Sequence, residues 1–225
     1  MRYITRQLTM LSLLTLLWTQ TTINGTQSLI NPGFEAGNFT GFTTLDNVDG
    51  GPPPPPPIND IATSSDNGDF LMVQPTEGRF FALLNTVRDS YRLRQSVLIQ
   101  ENFAVTIGAN LSVDLNYMTG EFNTGPETND TAYVYVTIKE TGEVLPVAFF
   151  SRDQLQLGGT GEPLAGTLRN VGHFKLSTGW RMYYVDLSKY AGKSAFLTFN
   201  VRKAAPSLGV GAQNTALAID NIRLN

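Results

Sequence analysis

The sequence has no cysteine and a single histidine among its 225 residues. Without disulfides, a domain of this size must be held by its hydrophobic core, by bound metal, or by both. Its 16 basic residues do not cluster, and 19 acidic residues outnumber them. A chain without a basic patch lacks the electrostatic footprint of a nucleic-acid-binding protein, so we expect no nucleic-acid partner.

Catalytic motifs are equally scarce. His173 lies in NVGHFK with no Ser or Cys nucleophile motif nearby, and the glycines at 158, 159 and 161 precede neither a Lys nor a helix pattern. Glycosidases need two carboxylates on either side of a cleft, and the sequence singles out no such pair. We therefore expect a protein that is not an enzyme.

Long apolar runs are limited to Leu8–Trp18. Arg2 and Arg6 precede this run and a short polar stretch follows it, which is the layout of a secretory signal peptide; the run is too short to span a bilayer. Residues 1–25 are accordingly predicted to be a leader, and residues 26–225 one secreted domain without a membrane span. Its loop at 46–69 contains six consecutive prolines and is expected to be exposed.

The remaining pattern is that of short strands with turn signals between them, which predicts an antiparallel β-sandwich. Apolar residues alternate with polar ones, and no helical apolar period persists. The predicted strands are a short one around Phe34, then Phe70–Val73, Arg79–Asn85, Tyr91–Ile99, Ala104–Ile107, Leu111–Tyr117, Ala132–Ile138, Val144–Phe150, Phe174–Lys175, Trp180–Leu187, Ala195–Arg202 and Thr215–Leu224. Trp180 is expected to cap the core.

Two strands in the middle of the chain carry an unusual mixture on their polar faces. If the strands around Leu115 and Val134 pair, Asp114 and Asn116 lie beside Tyr133 and Tyr135. The strand at 195–202 adds further polar residues, Asn200 and Arg202 among them. Aromatic rings suit the apolar faces of sugars, and amides and charges suit hydroxyl groups, so this face is a candidate glycan-binding surface. The alternative is an ordinary outer sheet face.

Asparagine sequons suggest glycosylation. Asn38, Asn110 and Asn129 each begin an N-x-S/T triplet without proline at the middle position, and Asn24 begins another after the apolar run of the leader.

Motifs at the two ends resemble calcium-binding jelly-roll carbohydrate-binding modules with a galactose-binding-like fold. They are NPGFEAGNFTGF at 31–42 and AIDNIRL at 218–224. Three internal motifs resemble secreted bacterial surface proteins built on the same sandwich, which often end in a C-terminal sorting tail: PTEGRFFALLNT at 75–86, LSVDLNYMTGEF at 111–122 and NDTAYVYV at 129–136. The resemblance implies a sandwich of the jelly-roll type, although the final residues do not resemble a sorting tail.

The resemblance also implies a structural calcium ion that ties the first and last strands together. Glu35 and Asp220 would supply carboxylates, and backbone carbonyls near Asn31 and at Glu77 and Gly78 would complete the oxygen shell. Asp220 falls on the apolar face of its predicted strand, with Ala216, Ala218, Ile222 and Leu224. A carboxylate in that position needs a partner, and hydrogen bonds from backbone amides or from an arginine are the alternative to metal.

Glu121, Asn129 and Asp130 form a second acidic group in the long central connection. This group is either a solvated turn, a second oxygen-ligand site or a rim of the binding face. The sequence as a whole predicts a secreted, calcium-stabilised, non-catalytic module at the cell surface that binds glycans. The alternative is a structural subunit of an extracellular matrix or filament, using the same face to contact protein, and self-association is compatible with either.

Overall fold

The computed structural model describes residues 28–48, 60–63, 73–85, 87–88, 91–120, 129–156, 162–163, 174, 176–203 and 215–225. The predicted leader, most of the proline-rich loop, His173 and Glu121 lie outside these residues. Within them, neither the short helix nor the 3-10 turn has the length and apolar character that a membrane crossing needs.

The described chain is almost entirely strand. In chain order the elements are β1 Phe42–Val48, β2 Asp60–Thr63, β3 Phe80–Asn85, β4 Val87–Arg88, β5 Tyr91–Ala104, β6 Asn110–Thr119, β7 Thr131–Ile138, β8 Val144–Ser151, α1 Arg152–Gln156, β9 Glu162–Pro163, β10 Leu176–Ser177, β11 Arg181–Asp186, a 3-10 turn at Ser188–Tyr190, β12 Ser194–Arg202 and β13 Thr215–Leu224.

These strands form two antiparallel sheets that pack face to face. The front sheet has the order β1-β5-β12-β7-β8, with β4 paired to β5. The back sheet has the order β2-β3-β13-β6-β10-β9, and β11 pairs with β6 beside β10. The predicted antiparallel β-sandwich is therefore confirmed.

Alternation along β7 sets which side chains enter the core. Val134 and its even-numbered neighbours are buried, whereas Tyr133 is 41% exposed. From the back sheet, Leu115 and Tyr117 of β6 fill the facing layer. The Tyr117 hydroxyl donates to the backbone oxygen of Asp130 at 2.8 Å, and its ring stacks on Phe150. The burial pattern predicted for both strands is thus present.

The two central strands do not pair with each other, contrary to the expectation from sequence. β6 lies between β13 and the β10–β11 segment in the back sheet, and β7 lies between β12 and β8 in the front sheet. The connection between them passes from one sheet to the other. Alternation identifies the buried face of a strand but not its neighbour, because partner strands are distant in sequence.

The last strand contains a β-bulge that changes which residues point inward. Its register with β6 shifts between Asp220 and Arg223, and Asn221 has a φ of 52°. Ile219 and Ile222 both enter the main core, whereas Ala218 packs in a smaller cluster on the outer side of the back sheet. Asp220 is buried as predicted, on the side of Ala216 and Ala218, but that side meets the smaller cluster rather than the main core. The bulge follows Asp220 and brings Ile222 to the main core instead, because an unbroken period of two does not hold across a bulge.

Several other elements differ from the predictions. Phe34 lies in a turn with a φ of 57° and is fully buried, rather than in a strand. β5 is one 14-residue strand that ends at Ala104, and residues 105–107 of the strand predicted at Ala104–Ile107 are not in a strand. β1 and β2 were not predicted, and β2 lies within the loop expected at 46–69. Trp180 packs against the smaller cluster, meeting Phe81 edge-to-face at 5.7 Å and donating its indole N–H to the Gln74 carbonyl at 2.7 Å.

Val134→Ala should lower the free energy of unfolding by about 1–3 kcal/mol, because it removes buried methyl groups. Tyr133→Ala on the same strand should cost clearly less, since its ring is partly in water. Chemical denaturation of both variants measures the difference. A larger loss for Tyr133→Ala would reverse the assigned orientation of β7.

Candidate functional site

Asp220 is fully buried where the segment around Pro32 meets the last strand, and its carboxylate accepts four hydrogen bonds. Oδ2 accepts from the Thr76 backbone N–H at 2.7 Å, the Thr76 hydroxyl at 2.9 Å and the Glu77 N–H at 3.1 Å. Oδ1 accepts from the Asn221 N–H at 2.8 Å. Burial raises the pKa of the Asp220 carboxyl, and these hydrogen bonds oppose that rise.

Glu35 binds the other end of the segment that contains Thr76 and Glu77. Its carboxylate accepts from the Arg79 N–H at 2.9 and 3.1 Å and from the Phe80 N–H at 3.1 Å. The first segment also joins the last strand directly, because the Ile222 N–H donates to the Pro32 carbonyl at 3.0 Å. We call Glu35, Asp220 and residues 76–80 the terminal junction.

Gly78 lies at the centre of the terminal junction and must be glycine. Its φ is 65°, a conformation that side chains with a Cβ rarely adopt. A Cβ at this position would also collide with the carboxylate of Glu35. The glycine therefore allows the segment to approach the carboxylate closely enough for its next two amides to donate.

The residues predicted to hold calcium do lie together, but amide hydrogens surround both carboxylates. Glu35 and Glu77 border a cleft at the chain ends, where Glu77 pairs with Arg223 at 2.8 Å. Asn31 uses its side chain within its own turn, accepting from the Ala36 N–H and donating to the Asn38 carbonyl. Within the described residues, no group of three or more His, Cys, Asp or Glu side chains is placed to hold a metal ion.

This arrangement matches the amide alternative that the sequence left open for Asp220. A shared calcium ion remains a prediction, and it would require Glu35 and Asp220 to exchange amide donors for the metal.

Asn129, from the second acidic group, lies beside an ion pair of the chain. The Asn129 amide donates to the Asp153 carboxylate at 3.0 Å, and the Arg152 guanidinium contacts the same carboxylate at 2.7 Å. An arginine thus provides positive charge close to Asn129. Asp130 is buried.

The three predicted glycosylation positions differ in accessibility. Asn38 and Asn110 are exposed. Asn129 is half-buried, and its Nδ2, the atom to which a glycan would be attached, is engaged with Asp153.

The predicted glycan-binding residues are divided between the two outer faces of the sandwich. Tyr133, Tyr135, Asn200 and Arg202 share the outer face of the front sheet, where β7 pairs with β12. Asp114 and Asn116 lie on the back sheet, as a consequence of β6 pairing with β13.

Both back-sheet residues have partners within the chain. Asp114 accepts from the Asn221 side-chain amide at 2.9 Å, and the nearly buried Asn116 accepts from the Ser177 hydroxyl at 2.7 Å. They help to order their own side of the sandwich and cannot join the tyrosines in one site.

The front sheet carries a row of side chains across five neighbouring strands. Direct cross-strand partners in this row are Leu45, Val97, Asn200, Tyr133 and Phe149, from β1, β5, β12, β7 and β8. We call them the front-face row. Leu45 and Phe149 are 53% and 45% exposed. At about 4.8 Å between strands, the row extends about 19 Å.

An aromatic pair dominates one end of the front-face row. The rings of Tyr133 and Phe149 have centroids 4.9 Å apart and are tilted by 45°. Beside them, the side-chain oxygen of Asn200 is buried and has no hydrogen-bond partner among the described residues. The pair offers an aromatic surface for an apolar ligand face.

Sequence reasoning missed Leu45, Val97 and Phe149. β1 was not predicted, and the adjacent phenylalanines at 149 and 150 do not reveal which ring points outward. Only the strand register places Phe149 opposite Tyr133.

Comparison with known proteins finds likeness in structure alone. No protein-family model and no curated protein sequence matches the chain. The K1 cleaved adhesin domain of Lys-gingipain from Porphyromonas gingivalis is 11% identical, with a TM-score of 0.47, 86% of this chain covered and 95% of that one. The CBM22-1 xylan-binding domain from Paenibacillus barcinonensis is 11% identical, with a TM-score of 0.38 and coverages of 86% and 90%.

The enzymatically active domain of tailspike protein 4 from bacteriophage CBA120 is 13% identical, with a TM-score of 0.43. The match covers 89% of this chain but only 21% of that one. Likeness at these identities and TM-scores does not assign a function.

Gly78→Ala should destabilise the protein more than Gly108→Ala does. Both glycines have positive φ, so both variants carry the backbone strain, but only the alanine at 78 would displace a carboxylate from its amide donors. We expect an additional loss of about 1 kcal/mol or more in the free energy of unfolding. Equal losses in denaturation experiments would show that the hydrogen bonds of Glu35 do not stabilise the terminal junction.

Proposed function

We propose that the chain is a secreted, non-catalytic module that binds glycans through the front-face row. The observation that carries this function is the exposed pair of Tyr133 and Phe149 beside Asn200, on the outer face of the front sheet. A single exposed aromatic side chain is ordinary, but two in contact within a continuous row across a sheet form a surface.

The physical fit is to an extended, uncharged polysaccharide. The C–H faces of sugar rings pack on aromatic and aliphatic side chains, which the front-face row supplies at both ends. A polar group that could orient hydroxyls lies beside the row, namely the exposed Arg202, two residues beyond Asn200 along β12. The row is long enough for several sugar units in line.

A structural subunit that uses the same face to contact protein is the second candidate. The exposed side chain of Leu45 favours it, because an aliphatic side chain binds protein as readily as sugar. A glycan array probed with the folded chain distinguishes the glycan-binding module from the structural subunit. Reproducible binding to a set of related polysaccharides supports the module, and a blank array favours the subunit.

Tyr133→Ala and Phe149→Ala should each weaken glycan binding by about 1 kcal/mol, or roughly fivefold in Kd, through lost ring packing. Isothermal titration with the best array ligand measures the change. Ile107→Ala is the control, because Ile107 is exposed in a turn away from the front-face row. Unchanged affinity in both aromatic variants would exclude this face as the glycan site.

Secretion and calcium binding belong to the same functional hypothesis. Secretion is supported by the leader pattern at 1–25, and calcium by the binding of Glu35 and Asp220 to one short segment, 76–80. Exposed Asn38 and Asn110 would be the acceptors in a glycosylating host, whereas the hydrogen bond of Asn129 opposes its modification. Bound calcium would supply positive charge to carboxylates that otherwise depend on amide dipoles.

If calcium binds the native state, a chelator should lower the Tm, because a ligand bound only to the folded state stabilises it. Glu35→Gln and Asp220→Asn should each abolish the response to calcium, although both also lose stability through weakened amide hydrogen bonds. Thermal unfolding with calcium and with chelator separates the two effects. An identical Tm in both conditions would mean that amides alone satisfy the terminal junction.

A further inference from the structure

We draw no further inference here: the strongest candidate, the surface patch that the exposed side chains of Met182 and Tyr184 form on the outer face of β11, carries no proposal, because nothing among the residues that the structure describes shows what covers it.

Discussion

Burial of the Asp220 carboxylate is the constraint on which the end of the sandwich depends. A charge removed from water needs donors close by, or its burial costs several kcal/mol. The chain supplies them from Thr76, Glu77 and Asn221, which requires the segment at 76–80 to pass over β13. Glu35 then fixes the far end of that segment, and so the beginning and the end of the domain are held together.

The two outer faces of the sandwich differ in how far their aromatic side chains are covered. The back sheet covers its outer face with a small cluster around Phe81 and Trp180 and with hydrogen-bonded polar groups. The front sheet leaves Tyr133 and Phe149 in contact with solvent.

Much of the fold was predictable from local pattern. Alternation in β7 identified Val134 as buried and Tyr133 as exposed, and β13 was predicted with its observed bounds. The terminal junction was also foreseeable in part, since the motifs around Glu35 and Asp220 brought the two residues together. The hydrogen-bond donors to these two carboxylates were not predictable. Every residue but proline has a backbone amide, and only the folded segment determines which amides point at a carboxylate.

The sequence by itself determined the class of fold, the buried face of most strands and the meeting of the chain ends. Those properties follow from side-chain alternation and from short motifs, which are local. Tertiary structure alone decided that β6 and β7 belong to different sheets, that a bulge brings Ile222 into the main core, and that Phe149 completes the aromatic pair. Each of these depends on register between strands far apart in the chain, where packing rather than local pattern selects the partner.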